Sequence, residues 1–122
     1  SKAKNTKEGF CSLFSLIVSD LCLTPDKRGC LISNTYTEFL PTEKKEVIYL
    51  LDETRKIWID LIYRQLINAK FKNLILIKTD KDLKSLANAI YSSIVGISIL
   101  SKTNIEKAEL KNSLDRYIDI FK

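Results

Sequence analysis

TEKKEVIYLLDETRKIWIDLIYRQLINA, residues 42–69, is the stretch whose reading decides the fold. Its apolar residues are Val47, Ile48, Leu50, Leu51, Ile57, Trp58, Leu61, Ile62, Leu66 and Ala69. Steps of three and four place them on one face of an α-helix. Glu43, Lys44, Lys45, Glu46, Asp52, Glu53, Arg55, Lys56, Asp60 and Arg64 make the polar side. Asp52 with Lys56, and Asp60 with Arg64, are i,i+4 pairs in the favourable order, each adding a few tenths of a kcal/mol. Beyond Ile57 a second stripe of Ile59, Tyr63 and Ile67 widens the apolar surface, so neighbours must cover this half. At ~1.5 Å per residue the helix runs about 40 Å, the width of a small domain. The sequence therefore predicts an all-α bundle built around it.

The 122 residues are the length of one domain, taken here as 1–122. Ordinary apolar content allows a core, and only three Gly and two Pro favour a few long helices. A net charge of +5, spread along the chain, reads as a solvated basic surface rather than a nucleic-acid footprint. Cys11, Cys22 and Cys30 have no CxxC spacing, and no His exists to complete a metal site. They read as packing residues in a reducing, cytoplasmic setting. No apolar run approaches the roughly 18 residues of a membrane span, so no membrane partner is expected.

From the N-terminus, Asn5 with Glu8 forms a capping-box pattern. Phe10, Leu13, Phe14, Ile17, Val18 and Leu21 follow as an amphipathic stripe ending near Cys22. Thr24-Pro25-Asp26 marks a loop, and Cys30–Leu40 reads as a short helix stopped by Pro41. Thr42 is the expected cap of the central helix. Asn73 can adopt the left-handed conformation that ends a helix. Leu74–Ile77 reads as an extended connector plugging the bundle, since no second strand is present to pair with it. A helix from Asp80 to about Lys102 carries the stripe Leu83, Leu86, Ala87, Ile90, Ile94, Ile97 and Ser101, with Tyr91, Val95 and Ile99 beside it. Gly96 within it costs about 1 kcal/mol relative to Ala, which a closely approaching helix would offset. Thr103 with Glu106 predicts a capping box for a last helix to about Phe121. About five helices result.

Two apolar faces on 80–102 exceed what a chain this small can readily cover. One face and the final helix are therefore expected to meet a second copy in a four-helix bundle. The predicted interface is Tyr91, Val95, Gly96, Ile99, Leu110, Leu114, Tyr117 and Ile118. Catalysis is not expected. Without His there is no Ser/His or Cys/His nucleophile, the carboxylates lie on polar helix faces, and no phosphate loop occurs. No cofactor is expected either. An apolar interior with a few placed polar groups suits a small amphipathic molecule. The candidate lining is Phe10, Phe14, Asn34, Thr35, Thr54, Trp58, Gln65 and Tyr91.

Arg28-Gly29-Cys30-Leu31-Ile32-Ser33-Asn34-Thr35, with Glu38 after it, resembles the segment opening the second helix of the C-terminal domain in TetR-family transcriptional regulators. The likeness continues in order through the long charged helix 43–69, the turn Asn73-Leu74-Ile75, Asp80-x-x-Leu83-x-x-Leu86-Ala87, Gly96-Ile97 and Leu100-Ser101-Lys102. It covers residues 5 to 121. The family begins with a helix-turn-helix domain and a linking helix, to which nothing here corresponds. The resemblance thus implies the effector-binding and dimerisation domain of a parent regulator, a homodimer through about 80–121. Operator DNA would be contacted only by the absent domain. A helical homodimeric interaction module with no small-molecule site is the competing reading.

Overall fold

The computed structural model describes residues 5–23 and 44–122. Asn5 accepts the Glu8 amide on Oδ1 at 2.9 Å and opens α1, Thr6–Leu23, at the predicted cap. Phe10, Phe14 and Val18 recur at every fourth position and are buried, with Leu13 and Ile17 packed against them. The short helix predicted at Cys30–Leu40, and Thr42, lie outside the described residues.

The central helix, α2, spans Lys45–Phe71. Lys44 is at its N-cap in extended conformation, with no side-chain cap. It runs past the predicted end at Ala69 because the stop is set by backbone geometry. Asn73 is left-handed at φ 55°. The Leu74 amide reaches back to the Ala69 carbonyl at 2.9 Å and the Asn73 amide to Lys70 at 3.0 Å. These paired returns satisfy the last free carbonyls of the helix. Arg64 pairs with Asp60 at 2.8 Å as expected, but Asp52 pairs with Arg55 at 3.2 Å, and Lys56 with Glu53. The i,i+3 geometry wins there over the predicted Asp52–Lys56 pair.

The connector after α2 does find a pairing partner, contrary to expectation. Ile75 forms an antiparallel bridge with Phe121, through Leu76 N to Ile120 O at 2.8 Å and Lys122 N to Leu74 O at 2.9 Å. The C-terminal residues supply the partner, as one isolated bridge rather than a strand. Ile75 plugs the core while Leu76 points outward.

Thr79 caps α3, Asp80–Leu100, accepting the Asp82 amide on Oγ1 at 3.2 Å. Its predicted stripe faces inward: Leu83, Ala87, Ile90, Ile97 and Ser101 are buried, and Leu86 and Ile94 pack against the core. Ser98 and Ser101 are buried too, and each satisfies its hydroxyl on a carbonyl of its own chain turn, Ile94 and Ser98 respectively. No charged residue occurs from Ser85 to Ser101. By length and composition this helix could cross a membrane, although its inner face is in the protein core.

The predicted Thr103–Glu106 capping box does not form. Thr103 instead bonds the Leu100 carbonyl and the Ile105 amide, closing a turn. The last helix starts later, as α4, Lys107–Asp115, with Glu106 at an N-cap lacking a side-chain bond. It tightens to a 3₁₀ segment, Arg116–Ile120, before Phe121 extends into the bridge. Among the described residues the fold is all-α: four α-helices, the 3₁₀ segment and one isolated bridge. α2 packs along α3, and α1 fills the angle between α4 and α2. Lys70 to Asp80 at 2.6 Å, and Lys84 Nζ over the Tyr63 ring at 5.0 Å, hold α2 to α3 at the polar margin.

Candidate functional site

The predicted ligand-lining residues separate into two groups. Phe10, Phe14 and Tyr91 are in the core. The Phe10 ring meets Phe14 at 5.9 Å and Phe121 at 5.7 Å, and Phe14 meets Tyr117 at 6.5 Å. These are tilted contacts in the favourable range for aromatic pairs, and Phe14 has no exposed surface. These rings fill space with one another. Thr54, Trp58 and Gln65 lie on the other side of α2, sharing an outer stripe with Leu50, Ile57 and Leu61. Trp58 is 39% exposed, and the Thr54 hydroxyl returns to the Leu50 carbonyl at 2.9 Å. Asn34 and Thr35 lie outside the described residues.

The predicted interface residues also divide. Tyr91, Leu110 and Leu114 are buried within the one chain. α1 contributes the cover for α4, which the sequence reading had left to a second copy. Val95, Gly96, Tyr117 and Ile118 keep part of their surface, and Ile99 is 37% and Leu100 46% exposed. The second apolar face of α3 is thus covered at Tyr91 and open towards its C-terminal end.

That open end borders a groove of about 480 Å³ between α3 and the final helix. Gly96, Ile97, Leu100, Ile105 and Leu110 make its apolar wall, and Arg116 stands at its solvent edge. Among the described residues, a Cβ added at Gly96 would meet no atom of another element within 4 Å, so none of the described helices approaches it closely. Tyr117 fixes the far side. Its hydroxyl donates to the Ala89 carbonyl at 3.3 Å, leaving Ser93 to donate to Tyr117 in their shared bond. Ser113 donates to the Glu109 carbonyl at 3.0 Å.

Sequence reading passed over Leu100, Ile105, Ser113 and Arg116 as groove residues. Leu100 and Ile105 flank a turn, and Arg116 reads as part of a solvated face. The available signal was Gly96 followed by a turn and a second amphipathic helix, which leaves a hollow where a side chain is missing. Among the described residues no three His, Cys, Asp or Glu converge on a metal-sized site. Cys11 is a free, half-buried thiol. Comparison with family models, with curated proteins and with solved structures finds no match for this chain.

Proposed function

We propose that this chain is the ligand-sensing and dimerisation domain of a TetR-like transcriptional regulator, a homodimer with no catalytic role. The observation that carries the reading is the open C-terminal half of α3. Gly96 costs the helix about 1 kcal/mol relative to Ala, yet nothing among the described residues requires the Cβ to be missing. Ile99 and Leu100 are left in solvent beside it. A second copy laid across this end would cover both and give the glycine a purpose, in an isologous contact. The ordered likeness supports the same reading. Asp80-x-x-Leu83-x-x-Leu86-Ala87 opens α3, with Leu83 and Ala87 buried. Effector binding would favour one arrangement of helices and move the attached DNA-binding heads out of register with successive major grooves. The setting proposed is cytoplasmic.

The competing reading, a homodimeric interaction module without a small-molecule site, is favoured by the filled aromatic core around Phe14 and by the surface position of Trp58. Two measurements separate them. Sedimentation velocity tests the dimer that both readings require. Titration with hydrophobic ligands, followed by Trp58 fluorescence and backbone amide shifts, tests sensing. Saturable shifts support the regulator domain; a dimer with no saturable response to any such ligand leaves the interaction module.

A further inference from the structure

We propose that the groove between α3 and the final helix binds a medium-chain amphipathic carboxylate. The alkyl chain would lie on Ile97, Leu100, Ile105 and Leu110, with the headgroup on Arg116. The groove volume of about 480 Å³ is within the range of small-molecule sites. Its wall is aliphatic, and the missing Cβ at Gly96 keeps it open. The hydroxyls that line it are turned to protein partners: Ser93 to Tyr117, Tyr117 to Ala89, and Ser113 to Glu109. They offer little to a sugar or a nucleotide, which would need many polar contacts.

Among the described residues Arg116 is the one charged residue of the lining. Its Nε donates to the Asn112 carbonyl at 3.4 Å and its Nη1 contacts Asp119 at 3.3 Å, with the Arg116 and Asp119 side chains mostly in water. An exposed pair of this kind is weak, so a second carboxylate can take Nη2 and displace Asp119 from Nη1. A ligand with one anionic end and one long apolar end is the chemistry that matches. The inference rests on the sensing reading above for its consequence, though not for binding itself. Gly96 and Tyr117 belong both to the groove and to the face assigned to a second copy. Ligand and partner therefore compete, and the carboxylate lowers self-association.

The test titrates the full chain with decanoate below its micellar concentration, following backbone amide shifts, with decan-1-ol as the uncharged control. Decanoate is expected to move the amides of 93–117 saturably. Arg116→Gln is expected to weaken it about tenfold, the loss of one partly solvated charge-assisted contact, and to bring it level with decan-1-ol. Gly96→Leu fills the groove and should abolish binding with helical content unchanged. Shifts confined to α2 around Trp58, no saturable shift, or full affinity in Arg116→Gln would each overturn the site. Sedimentation in the same samples keeps the two readings apart. A dimer unmoved by decanoate, with silent groove amides, removes the groove site alone. A monomer whose groove amides still respond keeps the site and removes the dimer.

Discussion

Phe14 has no solvent-exposed surface and touches rings from both the first helix and the C-terminal segment. Truncation to Ala would leave a cavity in the core, and such changes cost about 3–5 kcal/mol. Urea unfolding of Phe14→Ala should show a loss of that size, a large share of a small domain's stability. Asn73 is a different kind of residue, held by conformation rather than burial. Its φ of 55° is costly for residues with a Cβ and free for glycine. Asn73→Ala should therefore lose about 1 kcal/mol, while Asn73→Gly stays near the parent in the same unfolding assay. Its Oδ1 also receives Lys122 Nζ at 2.6 Å, an exposed contact worth little beside the backbone effect. The left-handed turn was legible because Asn is one of the few residues that adopt it readily. The packing of Phe14 on Tyr117 was not, since a stripe on α1 does not say which distant helix will cover it.

At the level of the element, helix starts differ in how well their amides are satisfied. Thr79 caps α3 and Asn5 caps α1, each through a side-chain oxygen. Thr79→Ala should cost about 1 kcal/mol of stability. Glu106 sits at the N-cap of α4 without such a bond. Glu106→Ser should therefore gain a few tenths to 1 kcal/mol, read from the midpoint of thermal or urea unfolding. Existence and order of the four described helices were written in the spacing of apolar residues. The inward face of α2 was harder. Ile59, Tyr63 and Ile67, read as an added stripe, turn towards the core, whereas Ile57, Trp58 and Leu61 from the main stripe stay largely outside. Both stripes have helical periodicity and similar apolarity, so spacing alone gives no preference. What decides between them is the position of α3 and α1, a tertiary fact. The capping box at Thr103 failed for a related reason. The α3 end tightens into a turn that uses the Thr103 hydroxyl on Leu100 and Ile105 before α4 begins.

For the whole molecule, the chain closes on itself where the sequence offered no partner. The bridge between Ile75 and Phe121 ties the last residues to the turn after α2. It holds α4 against α1, which buries Leu110 and Leu114 without help from a second copy. The apolar surface left on α3 is correspondingly smaller than its two stripes suggest, and it gathers at the C-terminal end around Gly96, Ile99 and Leu100. Association through this patch predicts that Ile99→Asp and Gly96→Leu each weaken the dimer while circular dichroism shows unchanged helix. Ile99 is exposed enough to accept a charge in the free chain, and none of the described residues fills the space beside Gly96.

Sedimentation velocity of the unmodified chain, across a concentration series reaching tens of micromolar, is the most direct test of the account. A reversible species of twice the single-chain mass, shifted back towards single chains by Ile99→Asp, is the expected result. One species of single-chain mass at every concentration would contradict it.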